Sequence, residues 1–434
     1  MNFWELVFKI IALHQILYWS YLWQLKEYRR DRLSSALKTD FYKIIFDQFN
    51  LRFWFRPKPT ARGVMTVLLA IFFGLFLSGF YLVILVPITT ALAVGLVSPV
   101  FILYKKYLVL KAGRRMENFR GVVIGITGSY GKSSTKEILA TVLEKKYQVG
   151  KTPHNVNSEI GVAQTALKLN GNEEIFIVEM GAYKQGEIGS ICRIVHPQIG
   201  VITGLGDQHL ELFGSLENLK RAKYELIDAL PKGGLALVAG KDFTLSEAKE
   251  IRVFKDHVEF NYQNQKFTVP VLGVELIRNV IAVIKICQNL GMTLAEISMA
   301  LGEFKNNAVY PHMVKLNEDV YIVDDSYNTS YESFLSTIEY LKIYHGFTKI
   351  LVTPGIIELG DRGKTDHVSI GEKLNFVDKV FVTAKTYFPE LNSSGKAQLV
   401  TKNLLRELKA WKKPKTVFVF KGRVSRVIIN GLYD

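Results

Sequence analysis

Gly121–Ser134 reads GVVIGITGSYGKSS, and the rest of the chain can be ordered around it. The run Val122–Thr127 is apolar and mostly β-branched, as a buried strand is. A turn containing Gly128 and Gly131 follows, and the helical pattern Thr135–Leu143 comes next. Strand, glycine-rich turn and helix in that order make a phosphate loop. The glycines let the backbone approach phosphate oxygens, the helix N-terminus offers free N–H groups, and Lys132 reaches the outer phosphates. Ser133 has the position of a magnesium-binding hydroxyl, and Thr127, Ser129 and Ser134 complete the candidate nucleotide contacts. The general pattern carries glycine at position 126, where this chain has Ile126. A phosphate loop by itself suits an ATPase, a kinase or a ligase equally.

Downstream the pattern alternates between strands and helices. Apolar strands are predicted at 122–127, 174–179, 199–203 and 235–238, separated by helical stretches, which makes a parallel sheet covered on both faces. A second series at 320–324, 349–353, 379–384 and 416–420, with helices near 330–344, 367–375 and 397–409, predicts a smaller doubly wound domain. The helical pattern stops near Ala308–Pro311, which separates a domain at 113–309 from one at 310–434. Glu179 ends an apolar strand, so its carboxylate emerges at the C-terminal edge of a sheet, where α/β folds bind ligands. Cys192 and Cys287 lack C-x-x-C spacing and read as buried thiols of a reduced compartment.

Upstream the chain changes character. It has 434 residues, 48% of them hydrophobic, with a formal net charge of +15. Residues 1–120 hold 17 Lys/Arg against 6 Asp/Glu, so most of the excess lies there. Within that region Gly63–Tyr104 is 42 consecutive residues without Asp, Glu, Lys, Arg or His. One membrane span takes about 20 residues, so the run predicts a hairpin of two spans, roughly 64–86 and 87–104, within an anchor covering 1–112. Basic residues flank both ends, from Arg52 to Arg62 and from Lys105 to Arg115, which places both ends and the domains that follow on the cytoplasmic face. The apolar, Trp- and Tyr-rich segment 3–25 contains Glu5, Lys9 and His14 and reads as a third span or an interfacial helix. Residues 26–62 read as a basic-aromatic cytoplasmic segment lying on anionic lipid headgroups. The positive charge thus points to membrane lipid rather than nucleic acid.

Further segments narrow the choice of chemistry. NVNSEIGVAQTAL (Asn155–Leu167), FIVEMGAYKQGEI (Phe176–Ile188), VITGLGDQHLELFGSLENLKRAKYELI (Val201–Ile227) and VDDSYNTS (Val323–Ser330) follow TGSYGKSS in that order. The series resembles the Mur ligase family, and within it the type that adds D-alanyl-D-alanine to UDP-MurNAc-tripeptide in peptidoglycan precursor synthesis. TPGIIELGD (Thr353–Asp361) is similar to the C-terminal domain of that type. The resemblance covers residues 115–425, and the apolar N-terminal part resembles a membrane-anchored branch of the family.

The resemblance implies an enzyme that activates a carboxylate with ATP as an acyl phosphate, which an incoming amine attacks. It implies magnesium (Mg2+) held by Ser133 and Glu179, a second ion held by His209, and a carbamylated lysine at Lys223, which residue pattern alone would leave as one more charge on an amphipathic helix. It implies that Asn155, Asn157 and Ser158 face the UDP-linked sugar-peptide, that Asn279 and Asn328 contact ATP, and that Asp324 and Asp325 orient the nucleotide. Glu159 is expected to cap the helix that follows the loop.

Several positions depart from the family pattern. Where G-x-H-N-x-x-N is usual, Gly273–Asn279 keeps the first and last residues but has Glu275 and Leu276 for His and Asn. Tyr310-Pro311-His312-Met313 lacks the usual arginine, with Lys315 nearby, and Val238–Asp242 replaces an Asn-Ala-Asp stretch. Two other readings therefore stay open: a Mur-type ligase for a different amino acid or cell-wall polymer, and a membrane-anchored kinase of a lipid sugar.

Overall fold

The computed structural model describes residues 3–433 apart from 27, 29, 51–56, 155, 207–212, 306–310, 317, 318, 327, 328, 357, 358, 360, 361 and 401; the side chains of 31, 32, 35, 36, 38–40 and 43 are also outside the description. The chain divides into two units, Met1–Leu108 and Val109–Asp434.

The first unit is helical: α1 (Phe3–Leu25), α2 (Arg30–Asp47), α3 (Ala61–Gly74), α4 (Gly79–Ile84) and the first part of α5 (Val86–Glu117). Its buried centre includes Ile16, Trp19, Trp23, Ala70, Leu82 and Val86. Thr60 caps α3 by accepting from the Gly63 amide at 3.1 Å. Two helices, α1 and α5, are long and apolar enough to cross a membrane. The expected hairpin is drawn differently. Its first arm, 64–86, is divided into α3 and α4, because Ser78 is extended and Gly79 takes φ +53°, a conformation glycine adopts without strain. At 14 residues α3 is about 21 Å long. The second arm does not stop at Tyr104 but continues as α5 to Glu117, with Arg114 and Arg115 in its last turn, where cations suit the helix dipole.

The second unit begins with five parallel strands: β1 (Val122–Thr127), β2 (Val149–Lys151), β3 (Ile175–Glu179), β4 (Ile199–Ile202) and β5 (Leu235–Val238), in the order β2-β3-β1-β4-β5. The crossovers are α6 (Lys132–Leu143), α7 (Glu159–Ala166), α8 (Glu187–Val195) and α9 (Leu216–Asp228). Both faces are covered, which is why the strands are almost uniformly apolar. Ile124, Ile177 and Val201 pack against α6, while Val123, Phe176 and Val178 pack against α7, α8 and α9. β2 and β3 lie on one side of β1 and β4 and β5 on the other, so the C-terminal end of β1 is a topological switch point, the usual ligand crevice.

An antiparallel sheet follows, β6 (Lys249–Val253), β7 (Val258–Tyr262) and β8 (Gln265–Val269), then α10 (Glu275–Asn289) and α11 (Leu294–Gly302). The last six strands are β9 (His312–Lys315), β10 (Val320–Asp325), β11 (Thr348–Thr353), β12 (Lys379–Val382), β13 (Ala397–Leu399) and β14 (Thr416–Lys421), in the order β13-β12-β11-β14-β10-β9. All pair in parallel except β9, which runs antiparallel along β10. Their helices are α12 (Tyr331–Leu341), α13 (Gly363–Lys373), α14 (Phe388–Leu391), α15 (Leu404–Ala410) and α16 (Arg426–Asn430). The helix expected over 397–409 is instead β13 followed by α15. Strand β13 extends the sheet beside β12, and the sheet edge decides the conformation of these three residues.

Candidate active site

The phosphate loop leaves β1 at Thr127, whose buried hydroxyl donates to the Met180 carbonyl at 2.9 Å. Gly128 has φ +149°, and a Cβ there would lie 2.3 Å from Thr203 Oγ1. Gly131 has φ +80° and is the N-cap of α6; a Cβ there would come within 2.6 Å of Asn279 Nδ2. Both positions therefore require glycine. Ser129 anchors the loop, its amide donating to Gly204 O and its hydroxyl to Gly206 O, both at 2.8 Å. Tyr130 lies over Gly204 and Gly206: a Cβ at Gly204 would strike its ring, and one at Gly206 would crowd it. The Arg278 guanidinium stands 5.3 Å from that ring, within cation–π range.

Lys132 turns its ammonium back to the Gly128 carbonyl at 2.6 Å. Loss of water lowers its pKa, and Glu179 opposes the shift. The Ser133 hydroxyl donates to Glu179 Oε2 at 3.0 Å, and the Asn157 amide donates to Glu179 Oε1 at 3.2 Å. Burial would raise the Glu179 pKa, but the charges of Lys136 and Lys132 and the hydrogen bonds from Lys136 and Asn157 outweigh it and hold it below the ordinary value. Lys223 on α9 is 4% exposed. Loss of water pushes its pKa down to about 7, with Lys132 adding to the shift and Glu225 and Glu187 opposing it.

These groups open on a cavity of about 340 Å³ whose lining includes Gly128–Ser134, Asn157, Glu179, Lys223, Glu275, Leu276, Arg278 and Asn279 on one side and Asp325, Ser333, Thr337 and Arg423 on the other. Asn279 is 3% exposed, and its Oδ1 has no hydrogen-bond partner among the described residues, which leaves an acceptor for a ligand donor. At the departures from the family pattern, Glu275 is exposed, Leu276 is buried in the core, and Met313 on β9 accepts a hydrogen bond from Tyr344 at 3.2 Å.

The second wall comes from strand ends. Asp325 and Lys421 are register partners at the C-terminal ends of β10 and β14. The fully buried Lys421 ammonium bonds to Asp325 Oδ2 and, at 2.5 Å, to Ser333 Oγ, while the Thr337 hydroxyl donates to Asp325 Oδ2 at 2.8 Å. Burial raises the Asp325 pKa and lowers that of Lys421, and each charge offsets the shift in the other. Asp324 turns elsewhere, to Arg426 Nη1 at 2.5 Å and the Ser326 amide at 3.0 Å.

The expected residues therefore separate. Thr127 through Ser134, Asn157, Glu179, Lys223 and Asn279 gather at the switch point. The Ser158 hydroxyl accepts from Gly161 N and caps α7, the role expected of Glu159, and Ser158 is not among the described residues that line the cavity. Asn155, His209 and Asn328 lie outside the described residues. Sequence reasoning missed Lys136, Lys421, Tyr130 and Arg278; the two lysines carry no local signal because the carboxylates that matter, Glu179 for Lys136 and Asp325 for Lys421, come from elements distant in the chain. Among the described residues no group of three or more His, Cys, Asp or Glu gathers to hold a metal ion. Ser133 and Glu179 nevertheless fit magnesium, which takes one or two protein oxygens beside phosphate and water.

Comparison with known proteins agrees with this arrangement. Residues 126–253 match the Mur ligase middle domain. The UDP-N-acetylmuramoyl-tripeptide–D-alanyl-D-alanine ligase of Bacillus subtilis is 30% identical over 286 residues, covering 61% of this chain and 63% of that protein. The chain thus spans less than two thirds of that relative's length. The enzyme of the same name from Escherichia coli is 30% identical over 305 residues, 63% of this chain and 67% of that one. Among solved structures, the MurF ligase of Thermotoga maritima in complex with ADP superposes with a TM-score of 0.68 at 30% identity, over 76% of this chain and 82% of that one. Phosphate loop, switch-point carboxylate and two-walled cavity occur on a fold shared with a relative of that identity and coverage, and the chain belongs to the Mur ligase family.

Proposed function

We propose that the chain is an ATP-dependent amide ligase that activates a carboxylate as an acyl phosphate and joins it to an amine. The proposed substrates are UDP-MurNAc-tripeptide and D-alanyl-D-alanine, as in the named relatives. The observation that carries this reading is the Ser133–Glu179 hydrogen bond at the phosphate loop, inside a cavity that also takes residues from the last six-stranded sheet. A phosphoryl-transfer site needs few reacting side chains; positioning and charge stabilisation supply most of the catalysis.

In this reading the loop amides and Lys132 hold the phosphates, and Asn279 offers its free acceptor to the nucleotide. Ser133 and Glu179 hold magnesium, which offsets phosphate charge when bound. Asn157, bonded to Glu179, orients the carboxylate substrate. The Lys223 amine, with its lowered pKa, is neutral often enough near pH 7 to add to carbon dioxide, forming a carbamate with release of one proton. His209, Asn155 and Asn328 keep the roles the family resemblance implies. Burying the site between two walls keeps water from the acyl phosphate.

The decisive assay supplies purified protein with ATP, magnesium, UDP-MurNAc-tripeptide and D-Ala-D-Ala. Phosphate release that requires both substrates supports the reading. Release of ADP with a phosphorylated lipid, or no turnover with any carboxylate–amine pair, overturns it. Replacing D-Ala-D-Ala with other amino acids or peptides tests the second reading, a Mur-type ligase with another acceptor, which the Glu275 and Leu276 substitutions favour.

The proposed location is the cytoplasmic membrane, with catalysis on the cytoplasmic face. In support, α5 presents exposed Leu92, Leu96, Val100 and Leu103 before turning basic at Lys105 and Lys106. Release of the protein by alkaline carbonate washing of membranes would count against an anchor.

A further inference from the structure

Lys136 lies one turn beyond Ser133 on α6, and none of its side chain reaches solvent. Lysine is almost never fully buried without partners, and here three oxygens surround the ammonium. They are Glu179 Oε2 at 3.1 Å, the Pro153 carbonyl at 3.2 Å and Glu137 Oε1 at 3.4 Å. Glu137 is paired in turn with Lys151 at 2.6 Å, so charges alternate inward from the surface and balance.

The contacts on Glu179 come from two directions. Oε2 is held from α6 by Ser133 and Lys136, while Oε1 is held by Asn157. The Glu179 amide donates to Thr152 Oγ1 at 3.0 Å. Thr152, Pro153 and Asn157 all belong to the segment that joins β2 to α7. Lys136 therefore touches both the carboxylate and the segment that carries its other hydrogen bond. A terminal carboxylate torsion is broad and soft, so without Lys136 the Oε2 orientation would rest on one hydroxyl.

We propose that Lys136 is a positioning residue that aims the Glu179 carboxylate toward Ser133 and locks it to the 152–158 segment, coupling magnesium binding to binding of the carboxylate substrate. This rests on the reading of Glu179 as a magnesium ligand. Removing a cation near a metal site would by charge alone tighten the metal. Removing a residue that orients a ligand costs about 10- to 100-fold in metal affinity, and the geometry here makes orientation the larger effect.

The test titrates magnesium into full-length protein holding a fluorescent ATP analogue, comparing wild type with Lys136→Met. The expected result is a magnesium half-saturation raised about 10- to 100-fold, with magnesium-free affinity for the analogue within about threefold of wild type. The KM for the carboxylate substrate should rise as well. An unchanged or lowered half-saturation overturns the proposal, and so does an equal loss of analogue binding with and without magnesium, the mark of general damage. If Lys136→Met fails to fold, Lys136→Met with Glu179→Gln decides: recovery of a folded protein supports the pairing, and failure overturns it. A wild type that never ligates, combined with a shifted half-saturation in the variant, would sink the ligase reading and leave this one standing. Ligation by wild type with no shift would do the reverse.

Discussion

The two walls of the cavity are built by different means. The phosphate-loop wall is centred on one contiguous stretch of backbone, in which Gly128 and Gly131 permit an approach that other residues would block, and side chains such as Glu179 and Lys223 close around it. The opposite wall is made of side chains brought together by strand pairing, and its central ion pair joins residues 96 positions apart. A wall made from one loop carries its chemistry in a motif. A wall made from strand ends carries it in sheet register, which a motif search does not see. The first wall should fail through loss of binding, the second through loss of folding.

The largest expected effect breaks the second wall. Lys421→Met leaves Asp325 buried without its countercharge, and removing one member of a buried pair costs about 3–5 kcal/mol. Urea unfolding should show that loss, and adding Asp325→Leu should recover much of it. A midpoint unchanged in Lys421→Met would mean that the pair does not hold this wall together.

A smaller effect separates burial from chemistry on the first wall. Lys223 has a folded-state pKa of about 7, below that of a free lysine. Between pH 7 and about pH 10 the unfolded chain therefore binds more protons than the folded one, and stability rises with pH in that window. In bicarbonate-free buffer, Lys223→Met should melt above wild type at pH 7, and the gap should close toward pH 10. A gap independent of pH would show that Lys223 keeps an ordinary pKa in the folded protein.

The smallest effect concerns the edge of that wall. Ser158→Ala removes the cap of α7 and should cost about 1 kcal/mol in chemical denaturation while leaving the KM for the carboxylate substrate unchanged. A raised KM without a stability loss would return Ser158 to the substrate site.

Particular residues show how far the sequence could be read. Four strands of each large sheet were legible because burial on both faces leaves uninterrupted apolar runs, as in Phe176–Val178 and Val417–Phe420, whereas the short strands β2, β9 and β13 were not, since three or four residues at a sheet edge leave no such run. The antiparallel sheet β6–β8 was missed, although Val258–Tyr262 and Gln265–Val269 alternate in burial around Gln263 and Asn264, both with positive φ. That is the signal of a two-residue hairpin turn, and a reading by strand–helix alternation passes over it. The break between α3 and α4 was equally hidden, since Ser78-Gly79 sits inside an uncharged run that satisfies the composition of a span.

By itself the sequence determined the phosphate loop, the strand that ends in Glu179, the order of the family segments and the concentration of positive charge beside an apolar run. Each is a local pattern, set by the conformational preferences of neighbouring residues or by composition. Tertiary structure alone decided that Lys136 grips Glu179, that Lys421 meets Asp325 and that Asn279 stands against Gly131. These are pairings through space between polar groups whose burial is tolerable only when a partner arrives from another element. No spacing along the chain encodes such a partner; the packing of helices on the sheets and, for Asp325 and Lys421, strand register do.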